Sequence, residues 1–115
     1  MNHFEDLTKR IVDFRDARDW KQFHNPKDMA LSLVLEAAEV MEHFQWKDKK
    51  EMDEYIKTNK EDISEELADV LYWVLLMSHD LDINIVNSFI KKLEKSDKKY
   101  PIEKSKGSNK KYTKL

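Results

Sequence analysis

From residue 27 to residue 100 the chain contains neither glycine nor proline. Its one Gly is Gly107 and its two Pro are Pro26 and Pro101. A β-sandwich or barrel needs turn residues about every 8–12 positions, so this unbroken stretch excludes one. A Gly-rich phosphate loop and a dinucleotide fingerprint each need several glycines and are excluded as well. An all-α chain remains. At 115 residues it fits one domain better than two. With 40% hydrophobic residues its core must be thin, a shortage that association with other copies would relieve.

Apolar spacing and capping residues divide the chain into four helices. Phe4, Leu7, Ile11 and Phe14 recur at three- and four-residue steps, which predicts an amphipathic helix over 3–21. Asn25-Pro26 supplies an N-cap and a proline at the first helical position, opening a second helix that runs to about Phe44. Residues 45–60 are dense in charge and read as a connection with one short turn of helix. A third helix is predicted over 61–80. Asp82 or Asn84 can cap a fourth, with Val86, Phe89, Ile90 and Leu93 on its apolar side and Pro101 closing it. The expected organisation is a helical domain over 1–100 and a basic tail over 101–115.

The charge is unevenly spread. The whole chain has 21 Lys+Arg against 23 Asp+Glu, a net of −2. The tail alone carries Lys104, Lys106, Lys110, Lys111 and Lys114 against Glu103. A basic tail on an acidic body suggests an anionic ligand or a partner subunit, unless the tail is simply solvated. It does not suggest nucleic acid, whose readers distribute basic residues along a groove or face. Absence of Cys removes disulfides, thiolate nucleophiles and Cys-zinc sites and fits a reducing compartment. The start MNHFEDLTKR has no apolar core of a signal peptide, and no run approaches the roughly 18 apolar residues of a membrane span. A cytoplasmic protein with no membrane partner is expected.

Two helices carry carboxylates among apolar neighbours. In residues 29–41, MALSLVLEAAEVM, every residue but Ser32, Glu36 and Glu39 is apolar. At 100° per residue, Ser32, Glu36, Glu39 and His43 fall on one stripe. In residues 67–77, LADVLYWVLLM, Asp69 is the only charged residue. Asp62, Glu66, Asp69 and Trp73 form the matching stripe. Each helix thus holds a carboxylate pair at i, i+3, with Cβ atoms about 5–6 Å apart. If the stripes face each other, four carboxylates share a small volume, and two like charges ~5 Å apart repel by roughly 3 kcal/mol at an effective dielectric of ~20. A hard divalent cation resolves the conflict. Oxygen-only ligation favours Mg²⁺ or Mn²⁺ over iron. A di-iron bundle would want Glu-x-x-His on two of its helices, whereas the i+3 partners here are Glu39 and Asp69. A non-catalytic helical interaction module is the other competing reading, and it predicts no nucleotide binding.

Around these pairs the sequence resembles the MazG-type all-α nucleoside triphosphate pyrophosphohydrolases, most closely their dCTP pyrophosphatase branch. The resemblance rests on RDWKQFHNPKDMALSL (18–33), EAAEVMEHFQW (36–46), EELADVLYWV (65–74) and KKYPIEKSKGSNKKYTKL (98–115), which together span most of the chain. It implies a four-helix bundle completed by homo-oligomerisation, as a dimer or tetramer. It also implies Mg²⁺-dependent cleavage of a nucleoside triphosphate, dCTP or a related pyrimidine nucleotide, between the α and β phosphates. Glu36, Glu39, Glu66 and Asp69 would be the catalytic metal ligands, with Glu36 or Glu39 taking the proton of the attacking water. Trp20, His24 and Trp46 would surround base and sugar, and Trp73 stands where the branch places a pocket Tyr. Lys92, Lys104, Lys106, Lys110 and Lys111 would meet the phosphates, from the same or a neighbouring subunit. Ser96 stands where many relatives have Asn, and Leu35 where many have Glu.

Read without the resemblance, several of these residues have plainer roles. Trp20 and Trp46 would be packing or association anchors. His24 would be a polar surface group, His43 a surface or interface histidine, and Trp73 a core residue or pocket wall.

Overall fold

The computed structural model describes residues 2–115. The first compact unit ends at Asp82 and the second runs from Ile83 to Leu115. All regular structure among the described residues is helical. The first unit holds α1 (His3–Ala17), a 3₁₀ turn (Lys21–Phe23), α2 (Pro26–Glu42) and α3 (Lys49–Asp80). The second holds α4 (Ile85–Lys99), the short α5 (Ile102–Ser105) and a 3₁₀ turn (Tyr112–Lys114). No helix among the described residues is long and apolar enough to cross a membrane.

Each of the four longer helices starts where an Asx side chain can satisfy a free backbone N–H. Asn2 accepts from the Glu5 amide at 2.8 Å, Asn25 from Asp28 at 2.9 Å and Asn84 from Asn87 at 3.1 Å. Asn84, not Asp82, caps α4, because Asp82 is taken up in the left-handed turn after α3 (φ 55°). α1 ends at Ala17, four residues short of the expected Asp19-Trp20-Lys21 terminus. There Asp19 adopts φ 53°, and the Trp20 amide turns back to the Arg15 carbonyl at 3.2 Å.

The larger correction falls on residues 45–60, which are mostly helix. Asp48 and Glu51 form a reciprocal capping box, the Asp48 side chain accepting from the Glu51 amide at 2.8 Å. That D-x-x-E spacing is itself a start signal. With no Gly or Pro to stop it, the helix then runs on to Asp80. Only Asn59 departs from helical geometry (φ −123°, ψ 18°), with its side-chain amide donating to the Tyr55 carbonyl.

α3 packs against both α1 and α2. Met29, Leu75 and Leu76 are the fully buried apolar side chains of the described residues, a thin core. Leu31, Val34 and Leu35 on α2 and Leu67 and Leu71 on α3 stay exposed. Within the second unit the tail folds back on itself. Tyr112 meets Tyr100 edge to face with ring centroids 6.0 Å apart, and Lys99 Nζ lies 4.9 Å from the Tyr112 ring.

Candidate functional site

The α2 and α3 carboxylate pairs do face each other. Glu36, Glu39, Glu66 and Asp69 each offer an oxygen, and these four atoms lie within 4.8 Å of one another. Glu36 and Glu66 are half-buried, while Glu39 and Asp69 reach solvent. α2 packs against α3, and the i, i+3 spacing turns both acids of each pair to the same side.

The electrostatics show the strain of this arrangement. The Glu66 carboxyl is pushed up to about 7, first by its contact with the Glu39 carboxyl, then by loss of water and the charges of Glu39, Asp69 and Glu36. Glu36 is also raised, chiefly by loss of water and then by Glu39 and Asp69. One oxygen of each, Glu36 Oε2 and Glu66 Oε2, is buried without a hydrogen-bond partner. Buried acceptors left bare are costly, and four oxygen donors at this spacing are what a hard divalent cation takes. The donor set therefore fits such an ion.

Asp69 also lines an open pocket of about 840 Å³, together with Leu7, Arg10, Ile11 and Phe14 of α1 and with Trp20, Phe23, His24, Tyr72 and Trp73. His24 and Trp73 meet edge to face, their centroids 5.3 Å apart, and Tyr72 meets Trp73 at 5.1 Å. Trp20 packs edge to face on Phe14 at 5.7 Å. The result is an open, mostly aromatic cleft lined also by one of the four carboxylates.

Trp20, His24 and Trp73 thus come together beside the acids. Trp46 does not line this pocket. It follows α2 with a left-handed backbone (φ 71°) and its side chain is 90% exposed. Lys92 lies on α4, and Lys104, Lys106, Lys110 and Lys111 lie in and after α5; all belong to the second unit. His43, on the acid stripe, shares a hydrogen bond with the Tyr55 hydroxyl and so ties the end of α2 to α3.

Arg15, Asp80 and Tyr72 escaped the sequence reading. The Arg15 side chain is 1% exposed and bonds Asp80 through two parallel contacts, Nη1 to Oδ2 at 2.7 Å and Nη2 to Oδ1 at 3.0 Å. Arg15 stands four residues after Ile11 on the apolar stripe of α1, which was the available signal. Asp80 continues the three- and four-step series of Glu66, Asp69, Trp73 and Leu76.

Similarity to other proteins agrees with this geometry. A family model described as MazG-like matches residues 31–115. The dCTP pyrophosphatase 1 of Rattus norvegicus is 35% identical over 113 residues, covering 96% of this chain and 66% of that protein. The protein of the same name from Homo sapiens is 31% identical over the same share of each. The chain therefore spans just under two thirds of the length of these relatives. A pyrophosphatase from Archaeoglobus fulgidus superposes with a TM-score of 0.82 at 37% identity, over 88% of this chain and 94% of that one. With a family model covering most of its length and a solved relative sharing its helical fold, the chain belongs to the MazG-like family.

Proposed function

We propose that the protein hydrolyses a nucleoside triphosphate to the monophosphate and pyrophosphate, with dCTP or a related pyrimidine nucleotide as substrate and Mg²⁺ as the cation. The observation that carries this reading is Asp69, which belongs at once to the four-carboxylate cluster and to the aromatic pocket. A ligand with a planar ring in the pocket has its charged end next to the acids. The names of the rat and human relatives support the deoxycytidine triphosphate. A cytoplasmic setting, where free nucleotides are found, goes with the same reading.

Glu36, Glu39, Glu66 and Asp69 would hold the ion, Mg²⁺ or in its place Mn²⁺. When bound, such an ion neutralises charge on the phosphate oxygens as the transition state forms. The chain's own residues do the rest. Trp20, His24 and Trp73 bind the base and orient the nucleotide, and the apolar walls exclude water from around it. Glu36 or Glu39 accepts the proton of the water that attacks the α-phosphorus. The bond from that phosphorus to the bridging oxygen breaks, and pyrophosphate leaves. Trp46, Lys92 and Lys110 would complete the substrate contacts from a neighbouring copy of the chain, the lysines as point charges for the phosphates.

We further infer that the protein works as a homo-oligomer, a dimer or a tetramer. The exposed Leu31, Val34, Leu35, Leu67 and Leu71 support a covered face of this kind.

The test is a product assay with each common nucleoside triphosphate, with Mg²⁺ and with EDTA. Monophosphate and pyrophosphate formed only with Mg²⁺ are expected, with dCTP turned over fastest. Diphosphate with orthophosphate would overturn the choice of bond, and no consumption of any triphosphate would overturn the reaction.

A further inference from the structure

Arg15 is buried far more deeply than a helix-linking ion pair requires. Such pairs add little to stability, because removing both charges from water offsets most of their attraction. What sets this one apart is its third partner. Nη1 of Arg15, already bonded to Asp80 Oδ2, also faces Nδ1 of His24 at 3.4 Å.

The guanidinium has donors only. Facing it, a proton on His24 Nδ1 would set donor against donor, which favours a bare Nδ1 and the ring proton on Nε2. Asp80 grips Nη1 and Nη2 together, which fixes the plane of the guanidinium and with it the direction of the remaining Nη1 hydrogen. Trp73, edge to face on the imidazole, limits rotation from the other side. Burial and the Arg15 charge both hold the imidazole below its ordinary value, against a smaller opposing effect of Asp80. Arg15 does not line the aromatic pocket, whereas His24 does. The Nδ1 edge is turned to Arg15, and the opposite edge, which carries Nε2, is left to the two cavities His24 borders, the aromatic pocket and a smaller one of about 350 Å³ that Asp80 also lines.

We propose that Arg15 and Asp80 are positioning residues that hold His24 as its Nε2–H tautomer. The pocket then meets its ligand with a fixed hydrogen-bond donor, and selects a planar ring bearing an acceptor on that edge, a carbonyl oxygen or a bare ring nitrogen. For the identity of the ligand this rests on the nucleotide reading above; for the tautomer it does not. A site whose donor is fixed in advance discriminates against a ring lacking the acceptor, since the buried N–H would be left unpaired.

The wild-type chain with ¹⁵N-labelled histidine decides the tautomer without any variant, the His24 signals being assigned by their loss in His24→Gln. Expected are one bare and one protonated ring nitrogen, with Nδ1 bare and no averaging between tautomers. A protonated Nδ1, or an averaged pair, overturns the proposal. Asp80→Asn should restore averaging. Adding dCMP should displace the Nε2 signal and leave Nδ1 in place, and the opposite pattern also overturns it.

The second arm is kinetic. Arg15→Lys keeps the charge but loses the fork, and should raise KM for dCTP about tenfold with kcat little changed, as should His24→Gln. The double variant should be no worse than the weaker single one, because Arg15 acts through His24. If the two losses multiply, Arg15 acts independently and the proposal fails. If no triphosphate is hydrolysed at all, the hydrolytic reading falls, while the wild-type spectrum and the dCMP titration still decide this one.

Discussion

At Arg15 and Asp80 the first unit buries a cation against the carboxylate that neutralises it; at Glu36, Glu39, Glu66 and Asp69 it gathers four carboxylates. Among the described residues, no Lys, Arg or His stands within ion-pair distance of those four. Both clusters draw on α3, and Asp69 and His24 bring both to one pocket. The difference lies in what each asks of its surroundings. The pair balances its charge within the chain, although Arg15 Nε is buried without a hydrogen-bond partner, and loss of either member leaves the other unpaired. The quartet is complete only with something added, whether protons or a cation. One cluster is built to hold geometry, the other to bind.

Four experiments would break or sharpen that contrast. The largest effect is expected at the quartet: Glu39→Gln and Asp69→Asn should each lower pyrophosphate release about a hundredfold or more while the chain stays folded by circular dichroism. A near-normal rate in either would remove the quartet from the chemistry.

At the pair the expected loss is in stability. Arg15→Met strands the Asp80 carboxylate and should cost about 3 kcal/mol in urea unfolding, whereas Arg15→Met with Asp80→Leu should recover most of it. If the double variant is as unstable as the single one, packing by the arginine stem, rather than charge, holds α1 to α3.

The third experiment varies pH. Glu66 keeps its proton to about 7 in the folded chain, against 4.5 ordinarily. Between those values the folded state binds more protons than the unfolded one, so this contribution to stability is present below 4.5 and is lost as pH rises through 7. Protons and a divalent cation then compete for the same oxygens. The gain in Tm on adding Mg²⁺ should therefore be small near about pH 5 and larger near about pH 8. Asp80 acts the other way. Burial alone would raise it, but the two bonds from Arg15 and its charge hold it below 3.8, so its contribution is present above that value and lost as pH falls. His24, held below 6.5, likewise costs stability as pH drops beneath 6.5. Comparing Tm with and without the cation at each pH removes both. A gain that does not grow with pH would mean the cation does not bind at the quartet.

The smallest effect is that of salt. Screening relieves repulsion among the two exposed acids, so the metal-free protein should gain about 2 °C in Tm on raising NaCl to about 0.5 M. Glu39→Gln should lose that gain, and the buried pair should be indifferent to it.

Much of the quartet was legible in advance because its parts are local. Glu36 with Glu39 and Glu66 with Asp69 each sit three residues apart in a helix, and helical spacing alone turns both acids to one side. Trp20, His24 and Trp73 were legible through their resemblance to the family and meet in one pocket. The capping box of Asp48 and Glu51 was equally local, yet the dense charge of residues 45–60 hid it. Charge on a solvated face is no obstacle to a helix when no Gly or Pro interrupts it. Arg15 and Asp80 were different. They are 65 residues apart, and each alone looks like any charged residue on a helix.

The sequence by itself determined that this chain is helical, where three of its four longer helices start, and that each of two apolar helices carries a carboxylate pair. Those properties follow from neighbours within one or two turns. Only the tertiary structure decided that the pairs converge within 4.8 Å, that Arg15 finds Asp80, and that Trp46 stays out of the pocket that takes Trp20 and Trp73. Those outcomes depend on which faces of α1, α2 and α3 pack together. Packing is settled by the apolar surface that each helix can bury against the others, a property of no single segment.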